Sequence, residues 1–208
     1  METRFWDYLE QWRQRFPRRR ELSWHDGWLQ NGYCEDCCYC CGPQDSDEPF
    51  PMALLPGQLR PGMAEDFYLL NADTAYMDAR GCRACTAHGC RLPRPQRPVA
   101  CGLFPLVLNA GGMYVYKTCP AALFTPLSEL ADLGRQAARW LQGFPLKDLE
   151  HIALHLPATA LAERYISLSL PVYAPEAPQR ADAEATAGAA DRARKAASEP
   201  AKTAPCRR

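Results

Sequence analysis

The chain has 208 residues, with 24 Lys and Arg against 24 Asp and Glu, so its formal net charge is zero. That length suits one domain with appendages, and the charge balance excludes a global electrostatic pull toward nucleic acid or membrane. No apolar run is long enough to span a bilayer. The N-terminus, Met1-Glu-Thr-Arg-Phe-Trp-Asp, does not read as a secretory signal. A cytoplasmic location is expected, with neither nucleic acid nor membrane as a partner.

Taken in chain order, residues 1 to 16 carry Phe5, Leu9, Trp12 and Phe16 at three- and four-residue spacing, which predicts a helix that Pro17 ends. Arg18-Arg19-Arg20 reads as a solvated linker. Trp24, Trp28 and Tyr33 lead into the first cysteine block and are expected to pack as core aromatics beside it. Residues 42 to 66 hold five prolines and read as loop with short turns, anchored by Phe50, Leu54 and Leu55. A second cysteine-rich stretch runs from Gly81 to Cys101. Leu103 to Asn109 and Met113 to Thr118 predict a β-hairpin turning at Gly111-Gly112, which delivers Cys119-Pro120. From Thr125 to Leu170 the pattern is helical. Leu127, Leu130, Leu133, Ala137, Trp140 and Leu141 form one apolar face, and Ile152, Leu156, Leu161, Tyr165 and Ile166 continue in later helices. Beyond Pro175 the composition collapses to Ala, Pro and charged residues, a tail that cannot bury a core and is expected to be disordered.

The cysteines carry the chemistry. Five of the eleven fall in eight residues, Cys34-Glu-Asp-Cys37-Cys38-Tyr-Cys40-Cys41. The segment is too short and too polar to bury them as core residues. In a reducing cytosol a disulfide framework is disfavoured, and adjacent cysteines do not reach the usual disulfide separation without strain. A shared metal explains the density. Cys34, Cys37 and Cys40 give C-x2-C-x2-C, the opening of a bacterial ferredoxin-type run, with Gln44 where its fourth cysteine would stand and Cys119-Pro120 as a substitute. Cys34, Cys38 and Cys41 give the C-x3-C-x2-C of radical enzymes that cleave S-adenosylmethionine. The βα units those enzymes need are absent, so that register is rejected. In the second block, Cys82-x2-Cys85 is a knuckle-like pair. Residues 34 to 48 carry acids and no Lys or Arg, whereas residues 80 to 97 carry Arg80, Arg83, Arg91, Arg94 and Arg97 and no acid. Arginines near metal-bound thiolates would offset their charge; a solvated loop is the equal alternative.

The spacing Cys34-x2-Cys37-x2-Cys40-Cys41 resembles the C-x2-C-x2-C-C signature of the YkgJ-like cysteine-cluster proteins, described as zinc- or iron-chelating domains and related to flagellin lysine N-methylase. Cys82, Gly89-Cys90, Arg97-Pro98-Val-Ala-Cys101-Gly-Leu-Phe104-Pro105 and Cys119-Pro120 extend the resemblance over roughly residues 31 to 121. It implies eight ligands: Cys34, Cys37, Cys40, Cys41, Cys82, Cys90, Cys101 and Cys119. Eight thiols suit two four-ligand sites or a polynuclear centre with bridging thiolates. Cys38 and Cys85 are additional to the pattern, Pro93 occupies a position that is usually aromatic, and Gly102 stands where an arginine often follows the cysteine.

The expected architecture is α+β: a small metal-stabilised, loop-rich cysteine-cluster core with a β-hairpin, flanked by an N-terminal helix and C-terminal helices. Its parts are an N-terminal helix and linker (1–30), a cysteine-cluster metal-binding domain (31–125), a C-terminal helical part (126–172) and an Ala-rich tail (173–208). The cofactor is zinc or an iron–sulfur cluster, since both accept soft thiolates. The ferredoxin-like run favours iron–sulfur, and the knuckle suits zinc equally. His88 is a ligand candidate set against a turn residue; His151 and His155 read as surface or core histidines. Asp78 and Arg80 precede the second block and are available to a substrate. The expected function is metal binding, with a protein partner beside the metal ion. Against it stand an iron–sulfur-dependent protein-modifying enzyme of the lysine N-methylase type, by analogy alone, and metal storage or delivery through labile ligands. No catalytic residue is named.

Overall fold

A computed structural model describes residues 2–42 and 50–174. Residues 175–208 of the Ala-rich tail, Cys206 among them, lie outside the described residues, as do residues 43–49 of the proline-rich segment, whereas Tyr173 packs against the main core. The architecture is α+β, built from short antiparallel sheets and eight helices among the described residues. No helix among them is long and apolar enough to cross a membrane.

The first helix, α1 (Glu2–Arg15), forms as its periodicity predicts and stops before Pro17. Its buried face is narrower than expected. Trp12 and Phe16 are buried and stack on one another, while Phe5 is half-exposed. Strands β1 (Leu22–His25) and β2 (Trp28–Asn31) form a hairpin. Helix α2 (Cys34–Cys37) is a single turn that holds the first cysteines. Strand β3 (Phe50–Ala53), helix α3 (Met63–Asp66) and strands β4 (Tyr68–Leu69) and β5 (Thr74–Met77) follow. The three strands form one sheet in the order β3-β5-β4, so the proline-rich stretch supplies more than loop. Leu54 and Leu55 anchor it as expected, but Phe50 is largely exposed.

Strands β6 (Cys85–Thr86) and β7 (Gly89–Cys90) make a minimal hairpin in which Cys85 faces Cys90. Helix α4 (Val99–Leu103) carries Cys101. The expected long hairpin is formed by β8 (Leu106–Asn109) and β9 (Gly112–Tyr116). Its two turn residues are Ala110 and Gly111, both at positive φ (43° and 84°), as a two-residue turn compatible with strand twist requires. The turn therefore sits one residue earlier than the Gly-Gly pair suggested, and the first strand begins only after Pro105.

Helices α5 (Pro120–Phe124), α6 (Leu127–Leu141), α7 (Leu146–Ile152) and α8 (Ala158–Arg164) complete the helical part. On α6, Leu130, Leu133, Ala137 and Leu141 are buried, whereas Leu127 in the first turn is exposed. Residues 165–171 overturn the helical expectation. Strand β10 (Tyr165–Pro171) pairs antiparallel with β9, giving a sheet in the order β10-β9-β8. Ile-Ser-Leu-Ser-Leu alternates with period two, which is a strand pattern, and β9 would otherwise be an unpaired edge.

Three packed clusters organise the molecule. The largest joins β2, α4, the β8–β9 hairpin, α6 and α7, with Leu29, Met113, Val115 and Leu141 fully buried. Trp24 and Trp28 belong here and pack against Trp140, and the Trp28 ring also lies on Gly102, the neighbour of Cys101. The second gathers Met52, Leu54, Met63, Phe67, Ala84 and Leu92, with Cys82, Cys90 and Cys101 against it. The third gathers Trp12, Phe16, Tyr33 and Cys119, with Cys37 against it. The cysteines are thus built onto two small apolar platforms.

Candidate metal centre

Backbone hydrogen bonds bring the two cysteine-rich segments together. Helix α2 ends at Cys38, which caps it in the left-handed region (φ 49°, ψ 10°). The N–H of Gly42 then donates to the Cys38 carbonyl at 2.8 Å, closing a turn that carries Cys40 and Cys41. From the second segment, the Cys82 N–H donates to the Cys41 carbonyl at 2.9 Å, and the Cys85 N–H returns to the Cys82 carbonyl at 3.0 Å. Cys82-x2-Cys85 is therefore the tight turn its spacing predicts. Cys34, Cys37, Cys41, Cys82, Cys90, Cys101 and Cys119 are free thiols.

The tightest gathering is Cys38, Cys41 and Cys85. Their sulfurs all lie within 4.8 Å of one another, and the Cys41 and Cys85 sulfurs are 3.5 Å apart. All three residues are partly buried. Among the described residues no His, Asp or Glu belongs to this group. Cys38 and Cys85 were the two cysteines the sequence pattern left over. The knuckle spacing points to Cys85 once Cys82 is engaged, but nothing in the sequence points to its meeting with Cys38.

The eight expected ligands divide by platform. Cys119 is buried, and its thiol is pushed up by burial and then by Cys34 and Cys37. Cys37 is pushed up to about 12 by burial, with Cys34 and Cys41 adding to it. Cys40 is raised through its hydrogen bond with Cys41, by burial, and by Cys34 and Cys119. On the other platform, Cys82 is pushed up to about 11 by burial and by Cys90 and Cys41. Cys101 is raised by burial and by Cys82, Cys90 and Cys41. Cys41 lies between the groups, and hydrogen bonds from Cys40 and Cys85 lower its thiol. Cys41 thus interacts with thiols of both platforms, and of the eight expected ligands it is the one that belongs to the tight Cys38, Cys41 and Cys85 gathering.

The arginines act on the backbone that carries these thiols. Arg94 is buried and donates to the carbonyls of Cys101 (3.1 Å) and Asn31 (3.2 Å). Arg97 donates to the carbonyls of Leu92 (2.8 Å) and Cys90 (3.4 Å), and its charge lowers the Cys41 and Cys101 thiols. Arg91 pairs with buried Asp66 at 2.6 Å, where Arg60 also binds. The acids of the first block do not meet these arginines wherever they are described: Asp36 pairs with Arg20 at 3.3 Å. Asp78 and Arg80 hold each other, and Arg80 also reaches the Tyr76 hydroxyl and lies over the Tyr68 ring. His88 is an exposed turn residue whose N–H meets the Thr86 hydroxyl. His151 lies 3.8 Å from Asp73, and His155 meets the Glu150 carbonyl.

The donor set fits a thiophilic metal. Among the described residues every ligand gathered there is sulfur, and the sulfurs come from turns locked by backbone hydrogen bonds. Burial without metal makes the thiolates costly, a cost a bound cation removes. Searches against protein-family models, curated proteins and solved structures find no match for this chain.

Proposed function

We propose that this chain is a cysteine-cluster metal-binding protein of the kind its C-x2-C-x2-C-C resemblance implies, holding zinc or iron through thiolates in the cytoplasm. The observation that carries the reading is the convergence of Cys38, Cys41 and Cys85 to within 4.8 Å from two segments far apart in sequence. Cys41 belongs both to this gathering and to the eight thiols the resemblance implies, with Cys34, Cys37, Cys40, Cys82, Cys90, Cys101 and Cys119, a number that suits two four-thiolate centres or one polynuclear centre with bridging thiolates. Closed thiolate sites of this kind contribute folding energy directly. They would tie α2 to the start of α5 on one side, and the β6–β7 hairpin to α4 on the other.

Anaerobic purification followed by metal and acid-labile sulfide analysis tests this. Two four-thiolate zinc ions predict zinc near two per chain and no visible band. An iron–sulfur centre predicts iron, sulfide and broad visible absorption. A chain that folds with no metal of either kind overturns the proposal.

A further inference from the structure

We propose that the cleft between the end of α1 and α5 is a docking site for an acidic peptide segment of a partner protein, with one apolar side chain seated between Arg13 and Arg19. This goes beyond the metal reading, because no cysteine lines the cleft.

Shape is the first argument. The cleft is lined by Arg13, Phe16, Pro17, Arg19 and Phe124 and has a volume of about 240 Å³. Sites for drug-sized ligands begin at about 300 Å³, so this one suits a side chain or two of a peptide. Its aromatic lining is fixed before a partner arrives. Phe16 is buried and meets the Tyr33 ring edge-on at 5.1 Å, and Tyr33 stacks on Phe124 at 6.2 Å. A preformed surface loses little freedom on binding.

Charge supplies the second argument. Residues 13 to 20 hold five arginines, no lysine and no acid, in a chain whose net charge is zero. All five, Arg13, Arg15, Arg18, Arg19 and Arg20, are exposed. Arg19 pairs with Glu129 and Arg20 with Asp36, while Arg15 lies over the Trp12 ring. No carboxylate among the described residues pairs with Arg13, Arg15 or Arg18. Exposed ion pairs contribute little, so Arg19 can share a second carboxylate. A guanidinium fork grips a carboxylate through two parallel hydrogen bonds, which an ammonium does not. Acidic side chains complement this local excess.

The size of that excess decides the class of partner. Nucleic-acid binding of useful strength neutralises about 6–10 phosphates. Three unpaired guanidiniums fall well short of that, and a phosphate backbone has no use for an aromatic lining between them. A peptide that sets carboxylates beside one aromatic residue uses both features.

The test is fluorescence anisotropy on the full chain, purified anaerobically, with a labelled peptide of Glu and Asp carrying one central Phe. Saturable binding that weakens with added salt is expected. Arg13→Glu and, separately, Arg18→Glu should each weaken it about tenfold or more, the scale of a lost hydrogen bond between charged groups. Both side chains are exposed, so both variants should melt as wild type does. Lys147→Glu, an equal change of charge at an exposed position of α7, should leave the affinity unchanged. Replacing the peptide's Phe by Ser should weaken binding to wild type. The site is overturned by no saturable binding up to about 1 mM peptide, or by equal weakening from Arg13→Glu and Lys147→Glu, which would reduce the effect to bulk charge. It is overturned too if the Ser peptide binds as well as the Phe peptide. An oligouridylate bound more tightly than the peptide, with the same dependence on Arg13, would make the partner a nucleic acid and overturn the peptide assignment. None of these outcomes bears on metal content, which is measured separately.

Discussion

The carbonyl of Cys34 lies where a side chain on Gly89 would have to go. Gly89 sits at φ +89°, and an added Cβ would overlap that oxygen and come within 3.1 Å of the Glu35 carbonyl. The first turn of α2 thus packs backbone-to-backbone on β7, which sets the depth at which the two thiol segments meet. Gly89→Ala should cost on the order of 2–4 kcal/mol, from the left-handed conformation and the overlap together. It should also weaken metal retention, because Cys90 is the next residue. Thermal melting and metal content measured together check this. A variant with wild-type melting and wild-type metal would show that the segments do not need this contact.

Gly102 makes the corresponding contact on the other side of the second platform. Its added Cβ would overlap the Trp28 ring, which itself packs on Trp140. An arginine at this position, which the resembling family often has, does not fit under that ring. Gly102→Ala should destabilise by about 1–3 kcal/mol, the cost of overpacking a filled core, and Gly102→Arg by more. Denaturant melts of the two variants give the order; equal stability of both with wild type would contradict the packing.

Much of this was legible in the residues. The helical spacing of Trp12 and Phe16 and the Gly-marked hairpin before Cys119 are local patterns, and local patterns survive folding. The misses were non-local. Residues 165–171 follow directly on helices and read as their continuation, although Ser167 and Ser169 alternate with apolar residues. Only the free edge of β9 settles that choice. Trp24 and Trp28 precede the thiols in sequence, but what no local pattern shows is that the β1–β2 hairpin also carries both rings to Trp140 on α6. At the site, counting cysteines indicated a metal without saying which thiols meet. Cys38 and Cys85 come together through the backbone bond between Cys41 and Cys82, a long-range pairing with no sequence signature.

Cys34→Ser and Cys40→Ser should each lose metal and unfold earlier than wild type. Loss of a structural metal belongs to the mechanisms that exceed about 4 kcal/mol, or about 8–16 °C in Tm for a chain of this length. Cys206→Ser, altered in the tail beyond the described residues, should leave both properties unchanged. Cys34→Ser with wild-type metal content and melting would remove Cys34 from the ligands.

Metal removal should reverse the sign of the pH dependence of stability. In the metal-free chain, burial raises the Cys37 thiol from 9.0 to about 12 and the Cys82 thiol from 9.0 to about 11. The folded state then holds these protons more tightly than the unfolded state does. That contribution is complete below pH 9 and is lost as the pH rises through 9 toward 11 and 12. In the loaded chain the same thiols are ionised and bound, so protons compete with the metal and stability falls as the pH is lowered. Melting temperatures across pH, with and without a strong chelator, should therefore slope in opposite directions: rising with pH for the loaded chain on the acid side, falling with pH for the stripped chain above 9. Parallel profiles would mean that these thiols do not hold the metal.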